Sequence, residues 1–119
     1  MKFFKSFFMV GLSLLLIFGA FSTAFASEIR IYNDTRYNMS RVYVSPYNRS
    51  YSHQQNSRAI PSGKTFVLGN IPISSSNRYW NIKIILSNGK SREWKKVNLY
   101  SHREMTIYYS GSRLSAEWD

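Results

Sequence analysis

The residues with the clearest chemical potential in this chain are its two histidines, His53 and His102. Histidine exchanges protons near neutral pH, so it is the first candidate for a general acid or base. Glu104 follows His102 by two positions, and residues two apart on a strand point to the same side. Such a pair, with arginines nearby, could supply the base and the acid for cleavage of a phosphodiester. The alternative is that residues 101–104 are a polar turn that opens the last strand.

Other kinds of site chemistry lack their residues. The chain has no cysteine, which excludes thiol nucleophiles, disulfides and thiolate metal ligands. The two histidines are far apart and Asp34 has no second carboxylate close by, so no zinc or calcium site is expected. No Gly-x-Ser-x-Gly motif marks a serine nucleophile. We therefore predict a non-enzymatic protein without cofactor or metal; the alternative is a small secreted, ribonuclease-like hydrolase that uses His102 and Glu104.

Binding residues are expected first in the basic segment 90–96, which reads KSREWKK. Its candidates are Arg92, Trp94, Lys95 and Lys96. On a regular strand Arg92, Trp94 and Lys96 would line one face and offer charge and a stacking ring to a polyanion. In the other interpretation Trp94 belongs to the core and the charges beside it keep a sheet edge from pairing.

A second group of candidates lies in residues 46–63, the longest stretch without a repeating pattern. Its Asn, Ser, Gln, Pro and Gly content predicts a loop, with a short strand at 58–60. Because binding residues are often on loops, we add Tyr47, Arg49 and Tyr51 to the candidates. The alternative is a loop that only connects two strands. Sugar binding is also compatible with the composition, since the chain has nine tyrosines and three tryptophans.

Residues 1–26 have the order of a secretory signal peptide. Lys2 and Lys5 precede an apolar block that runs to Phe21, and Ala24-Phe25-Ala26 offers small residues to a signal peptidase. Cleavage after Ala26 would leave residues 27–119 as one domain without a membrane span. A retained membrane anchor is the alternative, because the apolar block approaches the length of a spanning helix. We expect the protein to be secreted or held in the periplasm or cell envelope, and a cysteine-free exported domain suggests a bacterial source.

The charge of the chain favours anionic partners. The net charge is +10 for the full sequence, and loss of Lys2 and Lys5 brings it to +8 for residues 27–119. Such a charge on a small body suits an anionic cell-envelope polymer, a glycan or another polyanion. The alternative is that the charge only keeps a β-rich protein soluble.

Alternating apolar and polar residues predict strands throughout residues 27–119, and no helical period is present. The predicted strands lie at 28–32, 40–45, 64–68, 79–87, 91–99 and 103–109. The tail, residues 110–119, adds an edge strand from Leu114 to Trp118 or is loosely attached. About seven short strands without a helix predict a small antiparallel β-sandwich. An open barrel is the alternative.

Two details of the strand pattern predict local geometry. Asn88-Gly89 between two strand patterns predicts a two-residue hairpin turn, in which both residues have positive φ. In the second arm of that hairpin, Trp94 and Val97 have opposite parity. A bulge near Lys95 and Lys96 would bring both onto one face.

Several short motifs occur in an order that resembles a loose group of small secreted bacterial proteins of unassigned function. In sequence they are residues 33–35 (NDT), 42–46 (VYVSP), 60–63 (IPSG), 80–84 (WNIKI) and 88–89 (NG). The sequence departs from the group at Asn81 and Asn88, where acids are usual. The resemblance implies a β-sandwich and no known activity. Together these observations predict an exported binding or envelope-associated module with a basic surface.

Overall fold

The computed structural model describes residues 27–119, and the predicted signal peptide, residues 1–26, lies outside the described residues. No helix that is long and apolar enough to cross a membrane is found in the described range. This range contains seven strands. They are β1 (Ser27–Asp34), β2 (Met39–Pro46), β3 (Thr65–Ile71), β4 (Tyr79–Leu86), β5 (Ser91–Asn98), β6 (Glu104–Ser110) and β7 (Arg113–Trp118).

The strands form two sheets, which confirms the predicted β-sandwich. One sheet has three antiparallel strands in the order β2-β4-β5. The other has four strands in the order β3-β1-β6-β7, and its β1–β6 pair is parallel. Apolar residues from both sheets meet in one core cluster. The tail is therefore not loosely attached: its strand β7 pairs with β6 at the edge of the four-stranded sheet.

The alternation of the sequence has the expected physical result. In β1, Ile29 and Ile31 are buried while Glu28 and Arg30 are exposed, because successive side chains of a strand point to opposite faces. By the same rule Val42 in β2 is buried and Arg41 before it is exposed. The residues on the inner faces of the sheets are thus those that the alternation of the sequence predicts.

The turn between β4 and β5 differs from the predicted two-residue type. Gly89 has a φ of 88°, but Asn88 does not have positive φ. The N–H of Gly89 donates to the carbonyl of Leu86 at 3.0 Å, and the N–H of Leu86 donates to that of Lys90 at 2.8 Å. These bonds close a three-residue loop, residues 87–89, in which a left-handed glycine follows a tight turn. The Asn88 side chain instead accepts a bond from the N–H of Lys90 at 3.0 Å.

The predicted bulge in β5 is confirmed. Trp80 pairs with Val97 and Ile82 with Trp94, so Asn81 between them faces two residues of β5, Lys95 and Lys96. The extra residue places Trp94 and Val97 against the same core. Lys96 takes a left-handed backbone conformation with a φ of 56°. This conformation is uncommon for a residue with a side chain.

Buried asparagines attach the loops to the sheets. Asn33 is buried, and its Nδ2 donates to the carbonyls of Tyr37 at 2.8 Å and of Ile60 at 3.0 Å. Asn56 is buried in the loop 46–63, and its Oδ1 accepts the N–H of Val42 at 2.9 Å. The predicted short strand at 58–60 is reduced to a single bridge between Met39 and Ile60. This loop therefore covers the free edge of β2 instead of only connecting two strands.

Candidate binding surface

The predicted binding residues do not form one face, because the bulge separates them. Arg92 and Trp94 lie toward the other sheet. The Nη1 of Arg92 donates to the carbonyl of Leu114 in β7 at 2.6 Å, and its guanidinium lies 5.4 Å from the centroid of the Trp94 ring. Trp94 is partly buried against the core. These contacts tie the edges of the two sheets together, and they agree with the interpretation of Trp94 as a core residue.

Tyr51 crosses the outer face of the three-stranded sheet. Tyr43, Lys83 and Glu93 form a row across β2, β4 and β5. The Tyr51 ring lies 5.8 Å from the Tyr43 ring, and its hydroxyl donates to the Oε2 of Glu93 at 2.6 Å. Burial raises the pKa of the Tyr51 hydroxyl above its ordinary range, and the hydrogen bond to Glu93 raises it further. The hydroxyl of Tyr51 is thus hydrogen-bonded to Glu93, the acidic side chain of this row.

Tyr47, Arg49 and Lys95 lie together beside Tyr51. They line an open cleft of about 560 Å³ between the loop and the outer face of β5, with Glu93 also in its wall. The hydroxyl of Ser45 donates to the carbonyl of Arg49 at 3.1 Å and holds the start of the loop. The structure therefore brings these three predicted residues together.

Lys96 lies next to the same group, between two exposed tyrosines. Its Nζ is 5.3 Å from the ring centroid of Tyr47 and 5.5 Å from that of Tyr79. A cation within about 6 Å of an aromatic ring is attracted to the ring face. Tyr47 is 47% exposed and Tyr79 is 41% exposed. The N–H of Tyr47 donates to the carbonyl of Tyr79 at 3.0 Å and so continues the β2–β4 pairing to this end of the sheet.

Asn81, a buried residue of β4, connects the bulge to the start of the loop. It is 6% exposed, its Oδ1 accepts the N–H of Lys96 at 3.1 Å, and its Nδ2 donates to the carbonyl of Tyr47 at 3.2 Å. One side chain therefore satisfies a backbone group of the bulge and one of the loop. The left-handed conformation at Lys96 is supported by this bond, and it sets the direction in which the lysine side chain leaves β5.

A second open cleft, of about 280 Å³, adjoins the first at Tyr47. Neutral polar residues line much of it, and Arg78 lies in its wall. The Arg78 guanidinium lies 5.1 Å from the ring centroid of Tyr100, which is 44% exposed. We call the whole region the tyrosine–cation surface, formed by Tyr47, Arg49, Arg78, Tyr79, Lys95, Lys96 and Tyr100.

Sequence reasoning missed Tyr79, Arg78, Tyr100 and Asn81 as parts of this surface. A signal for Tyr79 was present, since it precedes the core residue Trp80 on a strand and must point outward. The predicted bulge also implied that Lys96 leaves the face of Arg92 and Trp94. Asn81 carried no such signal, because an asparagine inside a strand gives no indication of which backbone groups it binds.

Charge is distributed unevenly between the two sheets. The strands of the four-stranded sheet carry on their outer face four of the six acidic residues and two of the 14 basic residues of the range 27–119. These residues are Glu28, Asp34, Glu104, Glu117, Arg30 and Arg113. Asp119 pairs with Glu104, and Arg36 lines a cleft on the same side. The remaining 11 basic residues and Glu93 lie elsewhere in this range. The tyrosine–cation surface is thus on the basic side of the molecule.

Neither histidine lines the two clefts of this surface. Strand β6 begins at Glu104, so His102 is in the turn before the strand, where its N–H donates to the carbonyl of Asn98 at 3.1 Å. The two residues therefore do not share a strand, and the turn interpretation describes this segment. The Nδ1 of His53 lies 3.1 Å from the hydroxyl of Ser52 on the exposed loop. Within residues 27–119, no three His, Asp or Glu side chains are grouped to hold a metal ion.

Comparison of the chain with family models, with curated proteins and with solved structures finds no match. In the part of the chain that the structure describes, the tyrosine–cation surface combines exposed rings, open clefts and cations that form no ion pair.

Proposed function

We propose that this domain binds an anionic polymer of the cell envelope through the tyrosine–cation surface, without chemical change to the polymer. The observation that carries the proposal is the position of Lys96, held on a left-handed backbone between the exposed rings of Tyr47 and Tyr79. The bulge that contains Lys96 packs Trp94 and Val97 against the core and at the same time directs this lysine outward. Left-handed conformations of this kind concentrate at functional sites.

The charges around Lys96 support an anionic ligand. Lys95 and Arg49 line the adjoining cleft, and Arg78 lines the next. Glu93 is the acidic residue in the walls of these two clefts, and it accepts the hydroxyl hydrogen of Tyr51. The hydrogen bond orients this carboxylate without removing its charge, and the four cations named above outnumber it.

The proposal places the protein outside the cytoplasm, as secreted or retained in the periplasm or cell envelope. This part depends on the signal peptide predicted at residues 1–26. Polymers of the envelope carry repeated anionic groups, and a basic domain close to them has a high local concentration of ligand.

The test is a titration of the domain with heparin, a soluble polyanion, at increasing salt. We expect an affinity that falls as salt rises, because released counterions and screening govern such binding. The double variant Lys95→Ala/Lys96→Ala should weaken binding about tenfold or more, which corresponds to about 1.4 kcal/mol. The matched control is Lys64→Ala/Lys90→Ala, which removes the same charge from exposed positions outside the surface.

Equal weakening by the two double variants would contradict the proposal, because it would mean that only net charge matters. The competing hydrolase is tested in parallel by incubation of the domain with RNA. Cleavage that His102→Ala abolishes would replace the binding function by an enzymatic one.

A further inference from the structure

We propose that the polymer is an acidic polysaccharide, whose sugar rings pack on Tyr47 and Tyr79 and whose anionic group is bound by Lys96. This inference rests on the proposed function and specifies its ligand. Three features of the surface distinguish a glycan from a nucleic acid or a lipid membrane.

The first feature is the kind of ring that is exposed. Trp80 is buried, and Trp94 and Trp118 are partly buried against the core. Within the tyrosine–cation surface the exposed rings are those of Tyr47, Tyr79 and Tyr100, each with a cation near its centroid. An aromatic face carries negative charge, so the C–H bonds of a sugar ring can pack against it. The tyrosine hydroxyls add hydrogen-bonding groups at the rim of each ring.

The second feature is the position of the lysine. Its Nζ lies at nearly equal distances, 5.3 and 5.5 Å, from the rings of Tyr47 and Tyr79. A sugar that lies on either ring would bring a substituent of its ring close to the ammonium group. A carboxylate or sulfate substituent would then form a charge-assisted hydrogen bond at the place where the ring is packed. Lys96 would thus recognise the anionic group, while Tyr47 and Tyr79 would recognise the sugar ring.

The third feature is the neutral lining of the second cleft. Asn48, Ser75, Ser76 and Asn77 line it with amides and hydroxyls. These groups both donate and accept hydrogen bonds, as the hydroxyls of a sugar require. Each strand of a duplex nucleic acid carries one phosphate per about 3.4 Å along the helix axis and favours a continuous row of cations. Here the cations are separated by tyrosines and by this neutral lining.

A membrane surface is the third possible ligand, and the apolar residues argue against it. The exposed large apolar residues of the described range are four tyrosines and Val67. Val67 is on β3, in the four-stranded sheet, away from the tyrosine–cation surface. Interfacial binding needs a group of apolar side chains that enter the lipid together. Among the described residues, the exposed large apolar side chains around Lys96 are tyrosines, without an exposed Trp, Phe or Leu beside them.

The experiment compares ligands and ring variants in one binding assay. The probes are polygalacturonate, heparin, cellohexaose, poly(U) RNA and vesicles that contain phosphatidylglycerol. We expect polygalacturonate or heparin to bind most tightly and cellohexaose to bind at least about tenfold more weakly. The preference between these two acidic glycans tells whether Lys96 meets a carboxylate or a sulfate.

The ring variants are Tyr47→Ala and Tyr79→Ala, with Tyr47→Phe and Tyr79→Phe as conservative partners. Each alanine variant should weaken glycan binding about tenfold, while each phenylalanine variant should keep most of it, because the stacking face remains. Tyr32→Ala is the matched control, since Tyr32 is 38% exposed on the other sheet. Circular dichroism of each variant confirms that the domain is folded.

Each result has a distinct meaning. Salt-sensitive binding that is unchanged by both alanine variants would overturn the glycan inference and leave anionic-polymer binding in place. Tighter binding of poly(U) or of vesicles would overturn it in favour of a nucleic acid or a membrane. Failure of every anionic probe to bind would overturn both the inference and the proposed function.

Discussion

The side-chain carbonyl of Asn81 accepts the backbone N–H of Lys96 at 3.1 Å, from a position buried beneath the surface. The amide nitrogen of the same side chain donates to the carbonyl of Tyr47 at 3.2 Å. One buried residue therefore fixes a cation and an aromatic ring relative to each other. Both hydrogen bonds of Asn81 go to backbone groups of Lys96 and Tyr47, so it acts as a positioning residue.

Replacement of Asn81 by alanine should affect both stability and binding. The N–H of Lys96 and the carbonyl of Tyr47 would lose their partner, which costs about 1 to 2 kcal/mol of unfolding free energy. The bulge and the loop would also move independently, so heparin affinity should fall. Urea unfolding and the binding titration measure the two effects. Asn88→Ala is the control, because Asn88 is on the exposed hairpin turn; equal effects of the two variants would contradict the positioning role.

Replacement of Lys96 by glycine should separate the effect of the left-handed backbone on stability from the effect of the lysine side chain on binding. Glycine adopts positive φ without the steric cost that a side chain brings, so the left-handed backbone of the bulge is preserved. The relief of strain is offset in part by the greater freedom of glycine in the unfolded chain, and the unfolding free energy should change by less than about 1 kcal/mol. Heparin affinity should nevertheless fall about tenfold. A glycine variant that binds as well as the original protein would show that the cation is not used.

Arg92 and Lys95 should behave differently although both lie on β5. Arg92→Ala removes the bond to the carbonyl of Leu114 and the contact with the Trp94 ring. It should lower the unfolding free energy by about 1 to 3 kcal/mol and change the affinity little. Lys95→Ala, on the exposed wall of the cleft, should lower the affinity with little change in stability. Thermal unfolding and titration of both variants check the contrast, and the reverse pattern would refute it.

The Tyr51–Glu93 bond should make the domain less stable at alkaline pH. The pKa of Tyr51 is raised in the folded protein by burial and by Glu93. Above about pH 10, the ordinary tyrosine pKa, the unfolded chain releases this proton while the folded protein retains it. The contribution is therefore complete below pH 10 and is lost as the pH rises toward the raised value.

The measurement is a comparison with a variant that lacks the Tyr51 hydroxyl. Thermal unfolding is followed from pH 8 to pH 11 for the original protein and for Tyr51→Phe, which has no proton to lose. The original protein should lose stability more steeply above about pH 10. Parallel curves would show that the bond does not hold the proton.

The hairpin turn gives a prediction that separates two turn types. In the three-residue loop only Gly89 has positive φ. Gly89→Ala should therefore cost about 1 kcal/mol, whereas Asn88→Ala should cost a few tenths. In a two-residue turn both positions would need positive φ, and both variants would be costly. Urea unfolding of the two variants distinguishes these cases.

The elements that sequence could predict are those that depend on local alternation. The buried positions of β1 follow from period two, and the bulge follows from the change of parity between Trp94 and Val97. The parallel pairing of β1 with β6 has no local signal, because it joins distant parts of the chain. The hairpin was predicted, but its turn type was not. A two-residue and a three-residue loop differ by one residue in the pairing of the two strands, and Asn-Gly is compatible with both loops.

The candidate site was predicted only in part for a related reason. Asparagine is most common in loops and turns, yet Asn33, Asn56 and Asn81 are buried and bind backbone groups of other segments. Such hydrogen bonds depend on the tertiary structure, and the preference of asparagine for turns gives no information about them. Lys96 was a candidate from its charge, but its place between Tyr47 and Tyr79 depends on the bulge and on Asn81.

The uneven distribution of charge between the two sheets gives the domain an electric dipole. Five acidic residues lie on the outer side of the four-stranded sheet, and most basic residues lie elsewhere. In the field of a polyanionic layer such a molecule experiences a torque before it makes any contact, within a Debye length of about 8 Å at physiological salt. It would turn its acidic face away, so that a larger share of encounters begins in the productive orientation.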